Sequence, residues 1–164
     1  MATIENTATQ IPTKEALINK YGSVDTGLCG SDLDGLQLEG IDLSAVDLSH
    51  ADMRNANFKG SNLKHCYFEA TDLTGSDFSG ADLEESEFLE VIITGANFTG
   101  ANLKGVNFSI TNFDGAVFTD AEFKGAFIPH ELFHSQAFAD AKSEGVEVGM
   151  PMQVLNNIAE KLKQ

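Results

Sequence analysis

Basic residues are scarce in this chain. Ten Lys and Arg stand against 25 Asp and Glu, a formal net charge of −15. A protein that grips the nucleic-acid backbone needs the opposite sign, so direct nucleic-acid binding is excluded as a function class. No apolar run is long enough to span a membrane, and no basic-then-apolar leader opens the chain, so a cytoplasmic protein without membrane contact is expected. Two cysteines make no disulfide framework. There is no G-x-S-x-G turn, no glycine-rich phosphate loop and no Cys-His zinc spacing, so no catalytic or cofactor-binding residue is assigned and no cofactor is expected.

What the chain has instead is a period of five. From Leu28 through Leu33, Leu38, Leu43, Leu48 and Met53 to Phe123 and Ile128, every fifth residue is large and apolar, without insertion or deletion. Five fits neither the helical period of 3.6 nor the strand period of 2, so the chain must turn at each unit. The residue two before each large one is mostly small or apolar, as in Ala51, Ala56, Cys66, Ala81 and Ala101. Two positions apart on extended backbone point the same way, so both line one interior. Between them stands an outward Asp or Asn. Glycine closes many units, for example Gly35, Gly60 and Gly80, where a tight turn is needed. This phase puts Cys66 inside and Cys29 outside nearly two coils away, about 10 Å at the strand spacing, so both are expected as free thiols.

The units Ala81-Asp82-Leu83, Ala96-Asn97-Phe98 and Ala101-Asn102-Leu103 resemble those of the pentapeptide-repeat family. That resemblance implies an all-β solenoid: a right-handed, four-sided parallel β-helix of about 21 pentapeptides in about five coils, with short helical caps. Residues 31–130 would rise roughly 24 Å at ~4.8 Å per coil. The columns implied by a coil of four units are distinct: Leu38, Phe58, Phe78, Phe98 and Phe118 against Leu43, Leu63, Leu83, Leu103 and Phe123. The expected organisation is an N-terminal segment 1–25, a β-helix 26–130 and a C-terminal cap 131–164.

Both ends of such a tower are raw sheet edges and need covers. Thr13 can cap a helix over about 13–21 containing Leu17, Ile18 and Tyr21, with Gly22 as its stop. At the other end Glu131 and Gln136 are too large and polar for inward positions, although Phe133 and Phe138 keep the phase. A helix from Pro129 to about Lys142 is therefore expected, then a loop at Gly145. A last helix from Pro151 would show Met152, Leu155, Ile158, Ala159 and Leu162 on one face, to cap the tower or form a homodimer.

The sharpest chemical motif is His130-Glu131-Leu132-Phe133-His134, the H-E-x-x-H form of zinc hydrolases, in which two imidazoles one helical turn apart share a metal. The tail of the chain offers little for a substrate cleft, so His130 and His134 are weak metal candidates and exposed cap residues are the expectation. His50 and His65 fall at corners and are expected to be exposed.

Charge is the remaining clue. Residues 31–50 and 71–90 are strongly acidic, whereas 51–70 and 91–110 each carry one net positive charge, a banding that relieves repulsion between stacked coils. Sorted by side, the faces of Leu33, Met53, Leu73, Ile93 and Phe113 and of Leu48, Phe68, Phe88, Phe108 and Ile128 are the most acidic. The same side carries the outward apolar residues Tyr67, Leu89, Ile92, Ile110 and Phe127. Acidic surface around an apolar patch has the look of a docking site. Leu89, Ile92 and Ile110 with Glu87, Glu90, Asp72 and Asp52 form the expected interaction surface, Tyr67 and Phe127 lying apart from them. The expected function is a non-catalytic, rigid acidic surface for a protein partner. The family resemblance also implies an alternative, a DNA mimic that binds a type II topoisomerase in the manner of quinolone-resistance proteins.

Overall fold

In a computed structural model of the chain, the residues described are 13–23, 26–109 and 112–149. They form a right-handed four-sided β-helix. The backbone bridges fix its pitch at 20 residues: Asp32 pairs with Asp52, Asp52 with Asp72, Gln37 with Asn57 and Asp42 with Asn62, all parallel. Four pentapeptides therefore make one coil, and corresponding units stack in four columns.

Within each unit the backbone accounts for its own polar groups. Leu33 N–H donates to Asp52 O at 2.7 Å, Asp52 N–H to Ser31 O at 2.9 Å, and Gly35 N–H to Arg54 O at 2.8 Å, so neighbouring coils are laced by main-chain bonds. The corner closes with Leu36 N–H donating to Leu33 O at 3.2 Å. Its third residue has left-handed φ, +67° at Gly35 and +65° at Gly80, which explains glycine there. Where the position is not glycine the strain is accepted, as at Ala45 (φ 59°) and Glu90 (φ 56°).

The outward Asp or Asn has a specific task. Asp32 Oδ1 accepts from Asp34 N–H, Asp42 Oδ1 from Ser44 N–H at 2.9 Å, Asp77 Oδ1 from Ser79 N–H at 2.8 Å and Asn102 Oδ1 from Lys104 N–H at 3.2 Å. A short side-chain oxygen thus bonds the N–H two residues on and holds the chain into its turn.

The interior is a column of side chains with 0–1% exposure at nearly every large position. Phe58, Phe78, Phe98 and Phe118 stack with centroids 5.1 Å apart, and Phe68, Phe88 and Phe108 do likewise at 4.7 and 4.5 Å. The two columns meet edge to face, as Phe78 and Phe68 do at 6.4 Å, the offset and T-shaped geometries that aromatic quadrupoles favour. Small polar residues at inward positions donate to backbone carbonyls: Ser61 to Leu38 O, Ser86 to Leu63 O, Thr71 to Leu48 O. Cys66 is buried and Cys29 partly so, both unpaired; burial pushes the Cys66 thiol up to about 11, out of the reactive range.

The first helix, α1 (Lys14–Tyr21), is capped by Thr13, whose side chain accepts from Ala16 N–H. It is anchored by buried Leu17, by Lys14 Nζ donating to Ser44 O at 2.6 Å and by Ser31 Oγ donating to Tyr21 O at 2.8 Å. Gly22 ends it for a reason the sequence did not show: its backbone is extended, and a Cβ there would lie 1.9 Å from Gly27 O.

The C-terminal end departs from the expected helix to Lys142. β1 (Glu87–Leu89), β2 (Asn107–Ser109) and β3 (Phe127–Pro129) form consecutive strands of one face, and α2 follows only as His130–Phe133. A 3₁₀ turn over Gln136–Phe138 comes next, and then the chain returns to the tower. Lys142 pairs with Glu122, and β4 (Glu147–Gly149) pairs in parallel with β3. Two sides of this last turn are helical and two are built like the coils beneath. The helical turn shifts the phase by one, so Leu132 is fully buried where Phe133 was expected, while Phe138 stays in phase and meets Phe123 at 4.8 Å. The helix expected from Pro151 lies outside the described residues.

Candidate docking face

The four faces differ in how their charges are satisfied. On the face of Leu43, Leu63, Leu83 and Leu103 three acids are paired across coils: Lys64 Nζ meets Asp82 at 3.1 Å and Glu84 at 2.8 Å, and Lys104 Nζ meets Glu122 at 2.7 Å. These contacts hold Lys64 and Lys104 above the ordinary lysine range, through the bonds they donate to Glu84 and Glu122 respectively, and the bond it accepts from Lys104 holds Glu122 below its ordinary value. From Lys64 to Lys142 that face carries a ladder of opposite charges, while Asp42 at its base enters no ion pair among the described residues.

The face of Leu48, Phe68, Phe88 and Phe108 is different. Its outward column runs Asp47, Tyr67, Glu87, Asn107, Phe127 and Glu147, each bridged or strand-paired to the next. The second column runs Ser49, Glu69, Leu89, Ser109, Pro129 and Gly149, one coil apart. No Lys or Arg occurs in either. Among the described residues, Asp47, Glu69, Glu87 and Glu90 enter no ion pair. With Glu147, five acids enter no ion pair among the described residues, beside two exposed aromatics, Tyr67 at 52% and Phe127 at 39%.

A recess of about 290 Å³ opens on this face, lined by Asp47, Ser49, Tyr67, Phe68, Glu69, Glu87 and Leu89. The small Ser49, itself buried, leaves room at the floor, and Tyr67 and Leu89 rise from the next two coils. Tyr67 stands between Asp47 and Glu87, to which it is bridged on either side.

The expected interaction surface is thus partly assembled. Leu89 and Glu87 lie together in the recess and Glu90 stands at the neighbouring corner. Ile92, 41% exposed, belongs to the adjoining face, in one column with Asp72. Asp52 is engaged: Arg54 donates to it through both Nε and Nη2, and that contact holds its carboxyl below the usual range. Ile110 lies outside the described residues. Tyr67 does not lie apart from Leu89 as expected but lines the same recess. Residues 67 and 89 are 22 apart, so a pitch of 20 brings them to diagonal neighbours on stacked coils. Asp47, Ser49 and Glu69, passed over in the sequence, join them by the same rule.

In the histidine motif α2 is one turn long, and the His130 and His134 rings lie side by side, 4.3 Å apart and tilted by 50°. Glu131 is exposed, and among the described residues no three His, Cys, Asp or Glu cluster as metal ligands. Nor, among the described residues, is any helix long and apolar enough to cross a membrane.

The repeat seen in the backbone is also recognised at the level of sequence: the family model described as pentapeptide repeats matches in eight copies, over 25–60, 51–88, 61–100 and 96–128. The chain belongs to the pentapeptide-repeat family. Among solved structures, this pentapeptide-repeat protein is similar to one from the thylakoid lumen of Arabidopsis thaliana, with 36% identity, a TM-score of 0.60 and coverage of 66% of this chain and 77% of that one. It shares the fold of HetL from the cyanobacterium Nostoc sp. strain PCC 7120, a pentapeptide-repeat protein involved in heterocyst differentiation regulation, at 22% identity and TM-score 0.50, covering 76% and 74%. A plasmid-mediated fluoroquinolone resistance protein aligns at 17% identity and TM-score 0.40, over 83% and 91%, too distant a likeness to bear on function. A search of curated proteins returns no match.

Proposed function

We propose that this pentapeptide-repeat protein is a non-catalytic docking module that presents its Tyr67 and Leu89 face to a protein partner. The observation that carries this reading is the contrast between faces. One face pairs Asp82, Glu84 and Glu122 with Lys64, Lys104 and Lys142. The other leaves Asp47, Glu69, Glu87 and Glu90 without an ion pair among the described residues, around exposed apolar side chains. A surface kept acidic only for solubility has no need to gather its aromatics on the unpaired side. The rigid backbone ladder also lets the face bind without reordering, which lowers the cost of association. The test is capture of partners by wild type and by Leu89→Lys/Ile92→Lys. Retention of every partner by the variant sinks the docking face.

The alternative of a DNA mimic directed at a type II topoisomerase is supported by overall charge, which is on the order of duplex DNA's one charge per ~1.7 Å. Against it, the acidic coils alternate with basic ones and one face pairs three of its acids with lysines. It predicts inhibition of gyrase supercoiling at micromolar protein, and absence of both inhibition and competition with DNA removes it. A homodimer through 151–164 and a cytoplasmic location remain part of the proposal. The similar Arabidopsis protein resides in a thylakoid lumen, and the fold requires of either compartment only that it be aqueous.

A further inference from the structure

We propose that the recess beside Tyr67 receives an arginine side chain from an extended basic segment of the partner. This rests on the docking face proposed above and names the chemistry of what docks there. Tyr67 offers an exposed aromatic face, and Asp47, Glu69 and Glu87 surround it with carboxylates that meet no cation among the described residues. A guanidinium suits both features at once, because it stacks flat on an aromatic ring while its edge forks onto a carboxylate. Leu89 supplies apolar surface for the aliphatic stem. An ammonium gains the charge but neither the stacking nor the fork.

The same chain displays the arrangement the recess lacks. On the neighbouring face Arg54 reaches back to Asp52 through Nε and Nη2, a fork completed from within. The positions two residues on from Asp47 and Glu87, which correspond to Arg54, are held by Ser49 and Leu89, so among the described residues these carboxylates have no such fork from within. A segment laid along the tower meets Asp47 and Glu87 two coils apart, about 10 Å at the strand spacing, a distance three extended residues span.

The experiment titrates the isotopically labelled full chain with a nine-residue Gly/Ser peptide carrying two arginines three residues apart, and with its lysine and citrulline counterparts, following amide shifts. Shifts concentrated on residues 47–49, 67–69 and 87–89 are expected, with the lysine peptide weaker by about threefold to tenfold, the worth of a cation–π contact and a fork. Tyr67→Ala and Glu87→Gln should weaken the arginine peptide by a similar factor, and Asp52→Asn on the adjoining face should leave it unchanged. Equal affinity for arginine and lysine peptides, equal weakening by Asp52→Asn, or no binding at millimolar peptide overturns the assignment. If the peptide fails while Leu89→Lys/Ile92→Lys still abolishes partner capture, the arginine assignment falls and the docking face stands. If the variant keeps every partner, the docking face itself falls.

Discussion

Asn97 lies one coil along from Asp77 and donates its side-chain amide to the Asp77 carboxylate at 3.2 Å, while its own Oδ1 accepts the Thr99 N–H at 3.0 Å. One asparagine thus closes its own turn and satisfies the acid in the neighbouring coil. An aspartate could do the first and not the second. Asn97→Asp is therefore expected to cost about 1 kcal/mol, from a lost hydrogen bond and two stacked carboxylates, and Asp77→Asn less than about 0.5 kcal/mol. Urea unfolding should show the Asn97→Asp penalty shrinking as salt is added; a penalty indifferent to salt contradicts the electrostatic part of this account.

The corners allow a clean test of backbone strain. Gly80 has φ +65° and a Cβ there would meet nothing within 4 Å, so Gly80→Ala should cost about 1 kcal/mol through conformation alone. Ala45, at φ 59°, makes the opposite case. Ala45→Gly should stabilise by roughly 0.5 kcal/mol, strain relief less the added chain entropy. Opposite shifts in the unfolding midpoint are expected.

Phe78 is sandwiched between Phe58 and Phe98, each 5.1 Å away, with no exposure. Removing the ring leaves a cavity that rigid coils above and below cannot close, so Phe78→Ala should cost about 3–5 kcal/mol. Denaturant titration checks it, and a loss under about 1 kcal/mol would mean the column collapses to fill the gap.

Acid should weaken the tower through identifiable carboxylates. The Ser44 N–H holds Asp42 below its ordinary 3.8, Arg54 does the same for Asp52, and Lys104 holds Glu122 below 4.5. A carboxylate whose folded pKa is depressed contributes stability that is complete above its unfolded value and is lost as pH falls through the folded one. Glu122→Gln should therefore be less stable than wild type at pH 7, with the difference disappearing on descent below its ordinary 4.5. The raised Lys64 and Lys104 act at the other end, their contribution being lost as pH climbs past 10.5 through their folded values. Unfolding midpoints of wild type and variant from pH 3 to 7 give the result directly.

The histidine pair yields a metal prediction. With no third His, Cys, Asp or Glu gathered beside them among the described residues, His130 and His134 should not retain zinc through purification. Elemental analysis of the full chain should find less than one zinc per chain, unchanged by His134→Ala. Stoichiometric zinc that the substitution removes would establish a metal site and reopen the hydrolase reading.

The inward and outward assignment of nearly every residue from 28 to 128 was legible in the sequence, since a period without insertions fixes phase along the whole run. Cys66, Leu38 and Phe118 are buried where the period puts them. The C-terminal end was not legible, because Glu131 and Gln136 look like the end of the repeat. The chain accommodates both on a short helical excursion, exposed, and then resumes pairing at Lys142. A local break in pattern says that a unit is irregular, not that the tower has ended.

The candidate site divides the same way. Sequence alone determined that the chain is a stacked solenoid, that Asp and Asn point outward and that one side is more acidic, because all three follow from a five-residue phase repeated four times per coil. It did not determine which acids are free. Whether Lys64 reaches Asp82 and Glu84 while Glu87 enters no ion pair among the described residues, and whether Tyr67 stands beside Leu89, depends on which side chains the 20-residue pitch brings within reach of one another. Ion pairing and recess formation act over a few ångströms in space between residues some 20 apart in the chain, so only the tertiary structure could decide them.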